Sequence, residues 1–352
     1  MSYKVSILKS KEAWDASFSR LPKESQDIYM MYDYYQIDNN HTECFFVESD
    51  QNIFYYPYVE GKVNTLGYEL DDIYYDIQGA YGYNGALTNC DDIFFLKTCR
   101  KLFIDYCMSE NVIAEFVRFN PILKNHKLFA DMEILNINKN IILDLTEENI
   151  WMNSYEHSTR KNVNKAIRNN LSVKIINSVD ISDYDISTFH NIYINTMERN
   201  SAMNEYYYSK DFFKKFKTLL PKNSFYIFVY KDEKVISVEL VLFNRYIAYS
   251  FLGGTLPEYF QYRPNDFLKH NIIEKLLKLN LSYFNFGGGA KPEDGVFKYK
   301  KNFAKNGVYD FYIGKKIYNQ KIYDNVVSQW KGTFKDQVDS YENLLLCYRY
   351  TS

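Results

Sequence analysis

Two stretches of the chain alternate apolar and polar positions as half-buried strands do. FFVESDQNIFYYPYV (45–59) reads as two strand-like runs around a polar turn. SFYIFVYKDEKVISVELVLF (224–243) repeats that plan, with Lys231-Asp232-Glu233-Lys234 as its turn. Each hairpin is followed by a glycine-bearing stretch, YGYNG (81–85) and FLGGT (251–255). The period then changes. In DDIFFLKTCRKLFIDYCMSE (91–110), Phe95, Cys99, Leu102, Phe103 and Tyr106 recur at helical spacing. In DFLKHNIIEKLLKLN (266–280), Phe267, Ile272, Ile273, Leu276, Leu277 and Leu279 do the same. Both helices lead into a further strand, VIAEFVRFN (112–120) and LSYFNFGGG (281–289). Two series of hairpin, strand, helix and strand, offset by roughly half the chain, predict two copies of one α/β unit.

The join is expected near residues 143–154. LDLTEENIW reads as a strand end, then Thr146 as helix N-cap with Glu147 and Glu148 in the first turn. A helix from there to about residue 170 would gather Arg160, Lys161, Lys165 and Arg168 on one arc, with Met152, Tyr155, Val163, Ala166 and Ile167 opposite. Such a basic stripe suits either a solvated face or a surface for a polyanion. After residue 310 the pattern predicts a strand and then a helix with Ile322, Val326, Val327 and Trp330 inward.

Composition narrows the function classes. A 46% hydrophobic share in 352 residues supplies an ordinary globular core. The 35 Tyr and 26 Phe suit grooves and interfaces, because a tyrosine can bury its ring and keep its hydroxyl wet; an A/T-rich genome would enrich them as well. A net charge of −2 argues against a protein that binds polyanions with its whole surface. The five cysteines (Cys44, Cys90, Cys99, Cys107 and Cys347) have no CxxC spacing, which favours a reducing compartment over a disulfide framework or zinc site. The five histidines show no metal-ligand spacing. Without an apolar leader or an 18-residue apolar run, the chain reads as cytoplasmic.

The stretch FNFGGGAKPEDGVFKYKKNF (284–303) concentrates the candidate chemistry. Gly287-Gly288-Gly289 is no phosphate loop, because neither GK[ST] nor GxGxxG follows. Pro292, Asp294 and Gly295 read as a turn. An extended VFKYKKNF would then put Val296, Lys298 and Lys300 on one side and Phe297, Tyr299 and Lys301 on the other. In QYRPNDF (261–267), Pro264 marks a helix start with Asn265 or Asp266 as cap. A helix start is an anion site in principle, with Arg263 adding charge. The glycines of the [QR]xxGx[GA] loop that holds the pyrophosphate of acetyl-CoA in N-acetyltransferases are missing there.

Five stretches taken in order resemble the Fem-like branch of the GNAT superfamily, which includes peptidoglycan-bridge aminoacyltransferases of the FemX type. They are YDIQGAYGYNGAL (75–87), EFVRFNPILKNH (115–126), LDLTEENIWMNSYEHSTRKNVNKAIRNNLSV (143–173), FHNIYINTMERNSA (189–202) and 284–303. The resemblance covers nearly the whole chain. It implies an α/β (α+β) fold with a tandem pair of GNAT-like domains, each a mixed twisted sheet flanked by helices. It places the first domain at 1–145, completed by 316–352, and the second at 146–315. It also implies transfer of an acyl or aminoacyl group to an amine of a cell-envelope precursor, nucleotide- or lipid-linked, with peripheral membrane contact compatible. The co-substrate would be aminoacyl-tRNA or acyl-CoA, with no tightly bound cofactor and no metal.

Residue by residue, the resemblance carries the aromatic–lysine pair onto Tyr299-Lys300, where relatives usually have Phe in place of Tyr. A fixed ammonium at Lys300 would stabilise the tetrahedral oxyanion of aminolysis. Arg199, in the MERN stretch, suits a substrate phosphate. Tyr81 and Tyr83 are expected to line the acceptor groove, and Arg118 and Arg263 to bind substrate. Arg160, Lys161, Lys165 and Arg168 would face a tRNA donor. Asp294 and Glu239 are the candidate general bases. Two rival readings are an acetyl-CoA-dependent enzyme acting on an amino-sugar or polysaccharide precursor, and a non-catalytic module that binds a glycan or peptide.

Overall fold

The computed structural model describes residues 2–38, 41–289 and 291–351. In chain order its strands are β1 (Lys4–Leu8), β2 (Thr42–Ser49), β3 (Asn52–Lys62), β4 (Tyr75–Gln78), β5 (Leu87–Thr88), β6 (Val112–Arg118), β7 (Glu133–Asp144), β8 (Leu171–Asn177), β9 (Ser224–Lys231), β10 (Lys234–Phe243), β11 (Ile247–Thr255), β12 (Tyr283–Gly287) and β13 (Val308–Ile317). The chain divides into two compact units. The first holds Met1–Ser25, Tyr29–Ile137 and Phe311–Ser352; the second holds Gln26–Ile28 and Asn138–Asp310. The divisions fall inside β7 and β13, where the sequence reading sets them at 145/146 and 315/316.

The two units share one strand plan. In the first, β1, β2, β3 and β4 pair antiparallel in succession, β4 pairs parallel with β6, and β6 pairs antiparallel with β13. In the second, β8, β9, β10 and β11 pair antiparallel, β11 pairs parallel with β12, and β12 pairs antiparallel with β7. The parallel step in each unit requires a crossover, supplied by the helices Ile93–Ser109 and Pro264–Lys278. The sixth strand is exchanged. The second unit takes β7 from the chain before it, and the first takes β13 from the chain after it.

The C-terminal segment therefore belongs to the first unit, and its packing shows why. Ile322, Val326 and Trp330 of the helix Gln320–Thr333 are buried with Val63, Tyr68, Ile113 and Tyr348 in one apolar cluster. The Trp330 indole donates to the Tyr350 carbonyl at 2.9 Å, and the Arg349 Nε donates to Asp76 at 2.8 Å.

Three local expectations are corrected. Thr146 caps no helix: its N–H and hydroxyl both donate to the Asp144 carboxylate, which makes a turn. Asn149, at φ 51, caps a short helix Ile150–Asn153 instead, and the chain breaks before a second helix, His157–Arg168. Met152 and Ile167, placed opposite the basic stripe, are exposed. At 263–266, Arg263 is itself the N-cap residue in the left-handed region, and Asn265 lies within the helix. Finally, residues 295–301 form a helix, not an extended run, because the Asp294 side chain accepts the Phe297 N–H as an N-cap.

Candidate active site

The chemistry of the second unit gathers where its parallel strand pair comes apart. β11 and β12 pair through Ile247–Tyr283, Ala248–Phe284 and Tyr249–Asn285, and there the pairing stops. Just beyond, the β10–β11 register jumps from Val241–Ser250 to Leu240–Leu252, leaving Phe251 as an extra residue. At the same level the β12–β7 register jumps over Phe286. A bulge bends the strand that carries it. Two bulges on neighbouring strands, each against its outer partner, fall where the pairing ends, at the carboxyl ends of a parallel pair, a common ligand position in α/β sheets.

Lys300 reaches the end of β12 from the helix Gly295–Lys301. Helical spacing puts Lys300 one turn from the buried Phe297, on the inward side, while Lys298 is exposed. An extended segment would have grouped the two lysines. The Lys300 ammonium donates to the Gly288 carbonyl at 2.7 Å. Burial, aided by the nearby Lys269 charge and opposed by Glu239 and Asp294, pushes its pKa down to about 8. Gly287 adopts φ 74, and a Cβ on Gly289 would lie 2.2 Å from the Asp294 carboxylate.

Behind Lys300 lies a buried polar cluster that sequence reasoning largely missed. The Lys269 ammonium donates to both Glu239 oxygens and to the Ser250 hydroxyl, each at 2.6 Å, and lies over the rings of Phe284 and Phe286. The available signal was a charge inside each of two apolar runs, VELVLF and DFLKHNII. The Asp266 carboxyl is also buried and accepts from the Asn162 amide at 3.2 Å; burial pushes its pKa up. The Tyr155 hydroxyl meets the His270 Nδ1 at 3.3 Å. Tyr299 turns its ring onto Phe303 and keeps its hydroxyl buried without a hydrogen bond among the described residues. Burial holds that hydroxyl protonated, reinforced by the charges of Asp266 and Glu239.

The other sequence candidates are dispersed. Asp294 spends its carboxylate on the Phe297 and Lys291 N–H groups, and Glu239 spends its own on Lys269. The Arg199 guanidinium donates to the Thr255 carbonyl at 2.8 Å and stacks on Phe260, at the end of β11. Arg263 is exposed at the start of the helix Pro264–Lys278, whose first turn already carries the Asp266 carboxyl. In the basic stripe, Arg160 turns inward and donates to the Tyr155 and Trp151 carbonyls at 2.6 and 3.3 Å, bracing the break between the two short helices. Lys161, Lys165 and Arg168 are exposed. Tyr81, Tyr83 and Arg118 belong to the first unit. There the Tyr81 carbonyl accepts from Tyr34, Tyr83 packs edge-on against Tyr29 and Phe311, and Arg118 lies over Phe116.

Residues 157–301 match the acetyltransferase (GNAT) domain family. Among solved structures the chain superimposes on FemX with a TM-score of 0.66 at 12% identity, covering 92% of this chain and 99% of that one. The fold is Fem-like GNAT. It also superimposes on the C-terminal domain of an Agrobacterium fabrum protein described as a lysylphosphatidylglycerol synthetase (TM-score 0.56, 13% identity, 91% and 96% covered). A tandem GNAT protein from the clavulanic acid biosynthesis pathway aligns at 0.50, with 8% identity and 89% and 98% covered. No curated protein matches the sequence significantly. In this Fem-like frame the repeated strand plan is the tandem GNAT pair, and Lys300 lies inside the matched domain. Among the described residues, no group of acidic, histidine or cysteine side chains could hold a metal ion, and no helix is long and apolar enough to cross a membrane.

Proposed function

We propose that the protein is an N-acyltransferase that moves an acyl or aminoacyl group from an activated ester or thioester onto a primary amine of a cell-envelope precursor. The observation that carries this reading is the Lys300 ammonium, half-buried and fixed on the Gly288 carbonyl where the parallel strands separate. In aminolysis the amine nitrogen attacks the carbonyl carbon and the carbonyl oxygen takes the negative charge. The bond to the leaving oxygen or sulfur then breaks, and the proton shed by the amine goes to the leaving group. A preorganised cation at the oxyanion lowers that barrier without reorganising at the moment of reaction. With its pKa near 8, Lys300 is mostly charged at neutral pH and can fill this role. The envelope context is supported by the fold shared with FemX and with the lysylphosphatidylglycerol synthetase domain.

Two observations bear on the donor. The match to an acetyltransferase domain favours acyl-CoA. The buried Asp266 carboxyl in the first helical turn, and the missing glycines, favour a donor that is not held there by a diphosphate. The deciding experiment pairs a UDP-muropeptide acceptor with either acetyl-CoA or aminoacyl-tRNA and reads the acceptor mass. Turnover with one donor names it. Absence of transfer with both, together with no thermal stabilisation by either donor or acceptor, would overturn the reading in favour of a binding module.

A further inference from the structure

The helix Ile93–Ser109 of the first unit has a second face with no role in the fold. Its inward face, with Phe95, Cys99, Phe103 and Cys107, is fully buried. At ~100° per residue, Ile93, Phe94, Lys97, Lys101, Ile104 and Met108 all project within about 100° of one another on the outer side. Three of them are large apolar side chains left strongly exposed: Ile93 at 67%, Phe94 at 70% and Met108 at 60%. Single exposed apolar residues need no explanation, but three on one helix face do. Between this face and residues 127–131 lies a groove of about 320 Å³, with Leu96, Ile104 and Leu128 in its wall and Lys97, Lys101 and Lys127 around it.

The charges of the groove are divided in an informative way. Arg100, at the bottom, is neutralised by Glu115 and by Asp131, which also pairs with Lys316. Lys97, Lys101 and Lys127 have no carboxylate partner among the described residues. The only acidic residue within the helix, Asp105, lies at the edge of the outer face, and Asp92 spends its carboxylate capping the Phe94 and Phe95 N–H groups. Exposed apolar side chains at both ends, with unpaired lysines between and beside them, are the chemistry of a helix lying in a lipid–water interface. Nucleic acid would use the lysines but not Ile93, Phe94 and Met108. A second copy of the chain would use the apolar residues but bring the lysines against their own kind.

We propose that this helix face docks the protein on an anionic lipid bilayer, with Ile93, Phe94 and Met108 entering the acyl boundary and a lipid phosphate seated among Lys97, Lys101 and Lys127. The docking is independent of acyl transfer and does not involve Lys300. Co-sedimentation with vesicles of about 30% phosphatidylglycerol in phosphatidylcholine, against pure phosphatidylcholine, tests it at about 0.1 M salt. Binding is expected only to the anionic vesicles. Replacing all three lysines by Gln should weaken it roughly 100-fold, by the contribution of one basic side chain taken three times. The variant Ile93→Ser/Phe94→Ser should weaken it at least tenfold with the charges untouched. All five positions are on the surface, and circular dichroism confirms that each variant is folded. Equal binding to neutral vesicles, no binding, or unchanged binding by either variant would overturn the proposal. So would a dimer in light scattering that Phe94→Ser dissolves, or lysine-dependent binding of RNA in place of vesicles.

Discussion

The ammonium of Lys300 is held where burial and a neighbouring cation both disfavour its charge, and this has opposite consequences for catalysis and for stability. For an oxyanion donor, Lys300→Ala should lower turnover about 10²–10³-fold with little change in acceptor affinity. The sign of the pH dependence discriminates between roles. Because the folded pKa lies near 8, an oxyanion donor is lost as pH rises through that value, whereas a lysine acting as base would gain activity over the same range. Stability runs the other way. Between about pH 8 and the ordinary lysine value near 10.5, the unfolded chain holds the proton more tightly than the folded one, so stability rises with pH across that window. Lys300→Met should therefore raise the melting temperature at pH 7 by a few degrees while abolishing transfer. A lowered melting temperature would show that the Gly288 hydrogen bond outweighs the buried charge.

At the scale of elements, the helix Gly295–Lys301 depends on its cap. Asp294→Asn keeps a side-chain oxygen for the Phe297 N–H and should leave both stability and turnover near the parent. Asp294→Ala should cost about 1 kcal/mol and misplace Lys300. Equal loss of turnover in the two variants would mean that the carboxylate, and not the cap, matters, and would restore Asp294 as general base. The basic stripe separates in a similar way. Arg160→Ala should destabilise by about 1–2 kcal/mol, because it leaves the carbonyls at the helix break without their donor. The triple variant of Lys161, Lys165 and Arg168 to Glu should leave the melting temperature unchanged. Transfer from aminoacyl-tRNA should collapse in that variant, and transfer from acyl-CoA should persist. These separations were not legible in the sequence. A helical wheel gives directions around an axis, but a break at Ser154–Tyr155 ends one axis and starts another, and only the chain path shows which carbonyls Arg160 must satisfy.

Across the whole molecule, the exchanged sixth strands tie each unit to distant parts of the chain. The first unit is not complete at residue 137; it closes only when β13 and the helix Gln320–Thr333 have joined it. Trp330→Ala removes the largest side chain of that docking and should lower stability by about 3–5 kcal/mol, read as a shift in the urea midpoint. Removing residues 311–352 should leave the first unit unable to fold, because Val63, Ile113 and the Asp76 carboxylate would lose their cover. A truncated chain with an unchanged circular dichroism melt would contradict that dependence.

What the sequence determined by itself was local and periodic. Alternation and helical spacing over windows of ten to twenty residues marked both hairpins, both crossover helices and the strands after them, because burial of one face imposes a period on any element. The order of those elements, met twice, carried the tandem plan. The pair Tyr299-Lys300 was visible as residues, but not as geometry. Only the tertiary structure decided that Lys300 points inward from a helix, that two bulges fall where the parallel pairing ends, and that Glu239 and Lys269 neutralise one another beside it. Each of these depends on partners far apart in the chain: Asn285 with Tyr249, Gly287 with Ile141, Lys269 with Glu239. A bulge is one extra residue counted against a neighbour, and an ion pair is a charge matched to another. Neither has a period, so neither leaves a signature until the chain has folded.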